Sequence, residues 1–231
     1  MPVPAELSPA GGERLEIEHA ETSSPSRIEL TQARLLFDRL VSPTQPAENW
    51  DESLAQLLQE EGAAAVLAEK LSSGTPAERE LAASTLALMG VEAASVEKTL
   101  VAALQDELPF VRANVAATLV QLPEHAQDAI PTLTQLLLAD DPQLRQLAAV
   151  NLNAAGVVLT DHIEQFRQAL QRDNSEDVLT PVVELLGRMG EPAKPALPEL
   201  RKIARQQRGE LGAKASSAIQ LISRETESSA P

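Results

Sequence analysis

Leu86, Leu119, Leu152, Leu186 and Ile219 return along the chain at steps of 33, 33, 34 and 33 residues. Each sits late in one of a set of related segments: TPAERELAASTLALMG from Thr75, LPFVRANVAATLVQLP from Leu108, DPQLRQLAAVNLNAAG from Asp141, EDVLTPVVELLGRMG from Glu176 and LGAKASSAIQLI from Leu211. A second apolar set comes ahead of each, Leu67 with Leu71, Leu100 with Leu104, Leu133 with Leu137, Phe166 with Leu170 and Leu200 with Ala204. Apolar residues three and four apart share one face of a helix, so every unit reads as a helix A, a short turn and a helix B. The start and stop signals agree. Thr75-Pro76-Ala77-Glu78 has capping-box spacing with proline at the first helical position, and Asp141-Pro142 opens another B helix. Gly90, Gly156 and Gly190 follow B helices where a C-cap glycine is expected. Strands have no place in this pattern.

A hairpin of this size cannot cover its own apolar face, so consecutive hairpins must stack and share a core that runs lengthwise, an α-solenoid. Upstream, Ser26-Arg27-Ile28-Glu29 is a further capping box opening a helix through Val41, with Leu30, Ala33, Phe37 and Leu40 on one side. A second helix is expected from Asn49, with Glu52 at its third position. This pair is out of register with the repeat and reads as a divergent cap over residues 27–61 in which Trp50 packs, ahead of five repeats over 62–223. Residues 1–26 and 224–231 mix Pro, Gly, Ser and Glu without apolar periodicity and are expected to form disordered tails.

Asp141-Pro142-Gln143-Leu144-Arg145-Gln146-Leu147-Ala148-Ala149-Val150-Asn151-Leu152, and Val111-Arg112 with Val115, Ala116 and Leu119, resemble the B helices of HEAT repeats, in particular the bacterial short-period HEAT-like kind. Ala129-Ile130-Pro131-Thr132-Leu133 and Ala196-Leu197-Pro198-Glu199-Leu200 resemble the A helices of that family. The resemblance implies an all-α, right-handed α-solenoid, a HEAT/armadillo-like superhelix of stacked hairpins. It also implies that the arginine of this motif pairs with acids in the inter-helix turns, Arg112 with Asp106 and Arg145 with Asp140. Leu179 and Gly212 stand at that arginine position in the last two repeats, whose interfaces are therefore expected to be looser.

Composition narrows the function. The 231 residues hold no Cys and three scattered His, which excludes disulfides, thiol catalysis and thiolate zinc and leaves little for a metal cluster, so neither metal nor cofactor is expected. A net charge of -15 with no Tyr, one Trp and three Phe speaks against nucleic acid, which needs cations for phosphate and aromatic platforms for bases. The start has no basic segment followed by an apolar one, and no stretch approaches the roughly 20 apolar residues that cross a bilayer. The expectation is a cytoplasmic protein with no membrane partner.

Turning 100° per residue around helix B leaves Ala113, Ala117 and Val120 pointing away from helix A, and the equivalent places hold Gln146, Val150 and Asn153, then Thr180, Glu184 and Gly187. In HEAT-like solenoids that side lines the concave surface. Small, weakly polar residues there would make a trough for a partner helix or extended peptide, with Ala113, Ala117, Val120, Gln146, Val150, Asn153 and Glu184 as its contact residues. Charge is also polarised: acids dominate from Ile28 to Gly62, while Arg201, Lys202, Arg205 and Arg208 gather late in the last A helix. That cluster complements the helix dipole and offers a place for electrostatic docking, head-to-tail or on an acidic protein. His125, beside Glu124 and Asp128, and His162 read as surface residues.

No catalytic constellation emerges, so the expected function is a non-catalytic protein-protein interaction scaffold whose partner is a protein or peptide. The alternative carried by the resemblance is an enzyme of the phycobilin lyase type, or another HEAT-like enzyme, acting on a partner protein.

Overall fold

A computed structural model of the chain describes residues 25–42, 49–155 and 159–224. Among them run twelve α-helices and no strand: α1 (Arg27–Val41), α2 (Trp50–Gln59), α3 (Ala63–Ser73), α4 (Pro76–Met89), α5 (Glu97–Ala103), α6 (Pro109–Val120), α7 (Ala126–Leu136), α8 (Pro142–Ala154), α9 (Ile163–Arg172), α10 (Glu176–Met189), α11 (Leu197–Gln206) and α12 (Glu210–Arg224). The hairpins α3/α4, α5/α6, α7/α8, α9/α10 and α11/α12 follow the repeat. Short 3-10 turns over Gly90–Val96, Thr160–His162 and Glu191–Ala196 lead into α5, α9 and α11, a feature the apolar spacing does not carry. The expected tails lie outside the described residues apart from Pro25, Ser26 and Arg224, the last of which closes α12.

Capping follows the sequence signals closely. Thr75 Oγ1 accepts from Glu78 N while the Glu78 carboxylate accepts from Thr75 N at 2.8 Å, and Ser26 with Glu29 makes the same reciprocal pair. Asp141 caps α8 by accepting from Gln143 N at 2.8 Å and from Leu144 N. Gly90 and Gly190 end α4 and α10 at φ of 58° and 63°, a left-handed region that glycine enters without a Cβ penalty. Gly156 lies outside the described residues. Asn49 precedes α2 without a side-chain capping bond to that helix.

The B helices form a contiguous layer in which α4 touches α6, α6 touches α8, α8 touches α10 and α10 touches α12. Alanine permits this approach: Ala82, Ala83, Ala113, Ala116, Ala148, Ala149 and Ala215 are completely buried. Leucines of both apolar sets, from Leu67 and Leu86 through Leu133 and Leu152 to Leu186 and Leu200, fill the space between the A and B layers and are likewise buried. Each contributes about 1.5–3 kcal/mol by leaving water. Ahead of the first hairpin, α1 packs on α2, α3 and α4 with Phe37 fully buried and the Lys70 ammonium 5.3 Å above its ring. Trp50 begins α2 at 37% exposure instead of packing inside this pair.

The arginine ladder differs from the expected pairing in register. Arg112 Nη1 donates to the Asp106 and Glu107 carbonyls at 2.7 and 3.1 Å, and Arg145 Nη1 to the Ala139 and Asp140 carbonyls at 3.1 and 2.7 Å, so each arginine meets backbone rather than carboxylate in its own turn. Carboxylates come from the next unit. Arg79 Nε lies 2.9 Å from Asp106 Oδ2, an ion pair poorly aligned as a hydrogen bond, and Arg145 pairs with Asp173. Burial raises the Asp173 pKa, but the Ser175 N–H and Arg145 outweigh it and hold the carboxyl below its ordinary range. Asp140 pairs with Arg172 at 2.6 Å.

At the last two units the ladder position is filled differently. Leu179 is buried as an apolar plug, and a Cβ on Gly212 would stand 2.1 Å from the Gln207 carbonyl oxygen. Other links take over: Lys214 pairs with Glu184 at 2.7 Å across α10 and α12, and Arg167 of α9 pairs with the buried Glu199 of α11 at 3.0 Å. His125 joins α5 to α7, its Nδ1 2.9 Å from Asp128 and its Nε2 3.2 Å from Glu97. It is a clamp between repeats, not the bare surface residue that its sequence neighbours suggest.

Two outcomes are expected. Gly212→Ala lowers stability by about 1–3 kcal/mol in urea unfolding, because the clash with a fixed carbonyl exceeds the roughly 1 kcal/mol that alanine gains in a helix. The His125 pKa is raised, by Asp128 first and Glu97 after it, so the clamp is fully stabilising below the unfolded value and is lost as pH rises through the folded one. Thermal midpoints should therefore fall as pH rises through and above the ordinary histidine range. His125→Gln should flatten that fall, and an unchanged profile would remove the clamp.

Candidate functional site

The residues expected to line a trough divide into two groups. On α6 the direction away from helix A is occupied by the neighbouring B helices, and Ala113, Ala117 and Val120 are 0%, 6% and 8% exposed. They are core residues of the B layer and present almost nothing to a partner, which corrects the expectation drawn from the helical wheel. Gly187 is buried for the same reason, with the place for its Cβ 3.1 Å from Ala218 on α12. On α8, by contrast, Gln146 is exposed and Val150 is 49% exposed.

Asn153 and Glu184 sit half-buried in a polar chain that crosses the B layer. Asn153 Nδ2 donates to Glu184 Oε2 at 3.1 Å, and Lys214 bridges Glu184 at 2.7 Å and Glu210 at 2.8 Å. The Glu184 contact, followed by Glu210, pushes the Lys214 ammonium up to about 12, and Lys214 in turn lowers the Glu210 carboxyl. Arg188 donates to the Asn153 carbonyl near the end of α8. These two sequence-marked residues therefore act first as cross-links between B helices.

A shallow depression of about 300 Å³ opens where α8, α10 and α12 meet, lined by Gln146 and Val150 together with Glu176, Asp177, Thr180, Pro181 and Glu210. Val150 and Pro181 supply apolar surface, and three carboxylates stand around it. Glu176 and Asp177 form no ion pair among the described residues. Periodicity singles out Gln146, Val150 and Thr180, but not Glu176 and Asp177, which stand in the first turn of α10 where acids complement the helix dipole. Only the packing of three helices from three repeats brings them beside Val150.

Arg201, Lys202 and Arg205 lie exposed on α11, with Arg208 just beyond its end, and none of the four makes an ion pair among the described residues. Leu200 and Ile203 turn inward, so the cations occupy the solvent side of the helix. Among the described residues no three His, Asp or Glu side chains are grouped to hold a metal ion, and no helix is long and apolar enough to cross a membrane.

Stacked helical hairpins with an alanine-rich B layer and an arginine at one register position meet a matching family over residues 64–153, that of HEAT repeats. HEAT repeats over residues 64–153 stand within a longer α-solenoid. Solved structures agree on the fold. A designed armadillo repeat protein in complex with the peptide (KR)4 is 17% identical at a TM-score of 0.58, over 85% of this chain and all of that one. Computationally designed armadillo repeat proteins for modular peptide recognition give 19% identity and a TM-score of 0.58, over 87% of this chain and 96% of the other. The CpcE and CpcF complex of phycocyanin lyase from Nostoc sp. PCC7120 gives 22% identity and a TM-score of 0.54, over 71% of this chain and 66% of that one. No curated protein sequence matches the chain.

The packing of the B layer separates structural from surface positions in a measurable way. Ala113→Glu should destabilise the solenoid by about 3 kcal/mol or more, by burying an unpaired charge between B helices. Val150→Glu should leave the thermal midpoint within about 2 °C, since exposed substitutions change stability little. Equal melting of the two variants would contradict this assignment.

Proposed function

We propose that this HEAT-repeat solenoid is a cytoplasmic, non-catalytic scaffold that binds an extended polypeptide along the exposed side of its B helices. The observation that carries the reading is the depression around Val150 and Pro181, where an apolar floor is ringed by Glu176, Asp177 and Glu210. Such a site suits a basic side chain, its stem against the valine and proline and its charged end among the carboxylates. The likeness to a designed repeat protein solved with the peptide (KR)4 supports the same chemistry. Gln146, Val150, Glu176, Asp177 and Thr180 are the proposed contacts, with Glu184 and Asn153 holding the helices that present them. The exposed strip of Arg201, Lys202, Arg205 and Arg208 is proposed as a second, electrostatic surface for acidic protein. Any association there should weaken as salt rises.

The test is titration of the full chain with a fluorescent peptide of alternating Lys and Arg. Binding should be saturable, and Glu176→Lys with Asp177→Lys should weaken it roughly tenfold or more, the effect of losing charge-assisted contacts. Val150→Glu, which adds an acid but fills the floor, should weaken binding less than that double reversal. Binding indifferent to both changes would sink the proposal. A bilin retained on the purified protein and passed to a partner protein would favour a lyase-type enzyme instead, a reading to which the phycocyanin lyase likeness gives only a shared fold.

A further inference from the structure

Arg79, Arg112 and Arg145 hold one register position in successive B helices, and each turns Nη1 onto carbonyls of the turn before its own helix. In two of the three, Nε faces a carboxylate of the following unit, Asp106 for Arg79 and Asp173 for Arg145. Asp106 and Asp173 are 33 and 34 residues from the residue between them in this register, which is Ala139. Arg112 keeps its two carbonyl bonds, yet its Nε and Nη2 have no hydrogen bond or ion pair among the described residues. The carboxylate of this rung is missing.

A cavity of about 520 Å³ opens at that place, lined by Pro109, Arg112, Leu136, Leu138, Ala139 and Leu144. Two acids on its rim are already engaged. Asp141 spends its carboxylate on the N-terminus of α8, and Asp140 is held by Arg172. Arg172 also donates to the Leu138 carbonyl at 2.6 Å, which brings a second guanidinium to the rim. An anion entering the cavity therefore meets a guanidinium with donors to spare, and a flanking apolar group meets leucine and proline. We infer that this cavity receives the carboxylate of an Asp or Glu side chain on a partner polypeptide, next to an apolar residue, and that this side chain completes the rung that Ala139 leaves open. The site lies by the inter-helix turns, built from other residues than the depression around Val150, and does not depend on that reading.

The test uses the full chain with a fluorescein-labelled peptide carrying one Asp between leucines, the same peptide with Asn, and sodium acetate. The Asp peptide binds saturably, the Asn peptide roughly tenfold or more weakly, as befits one charge-assisted contact, and equimolar acetate does not displace it. Arg112→Gln abolishes the discrimination between the peptides. Ala139→Asp supplies the rung from within the chain, raising the thermal midpoint and excluding the peptide. Arg112→Gln keeps the test decisive should Ala139→Asp not fold. Equal binding of the two peptides, undiminished binding to either variant, displacement by equimolar acetate, or no binding at all would overturn the inference.

Discussion

Everything in this molecule follows from the close approach of one B helix to the next. A two-helix unit has too much apolar surface for its own volume, and it can bury the excess only against the unit before and the unit after. Alanine makes the approach short enough for the leucines behind it to interlock with the A helices. Where even alanine is too large, as at Gly187 facing Ala218, glycine stands in its place. Polar links then settle on the edges of the layer, since the middle has no room for them: the arginines at the turns, the Asn153, Glu184 and Lys214 chain, and the His125 clamp between A helices.

The same approach explains which parts of the fold could be read from residues alone. The 33-residue step, the two apolar sets and the proline and glycine signals are local, and α1, α4 and α8 begin where their caps place them. Contacts between units are not local. The turn acids were visible as candidates for the arginines, yet the choice between the own turn and the following one depends on how far a neighbour is displaced along the stack. A helical wheel likewise divides a helix into a packed face and a free face, and α6, wedged between α4 and α8, has hardly any free face. Val150 stays in solvent, on the rim of the depression where α8, α10 and α12 meet.

Departures from the repeat are what distinguish one place in such a stack from another. An ideal array would present the same side chains at every step and bind with no register of its own. Here the first turn of α10 carries paired acids, the turn after α7 has alanine where its neighbours have aspartate, and the last A helix gathers cations. Each departure marks one place along the stack, and the proposed binding surfaces lie at these places.

Trp50 stands at the mouth of α2, partly in water, and is the lone indole of a chain that has no tyrosine. Its emission therefore watches a single extremity of the rod, whereas far-ultraviolet ellipticity averages over every helix. In a one-dimensional array whose units come undone in sequence, the two signals need not trace one curve on heating. The offset between them shows, without any label, whether the end that carries Trp50 opens before or after the rest of the stack.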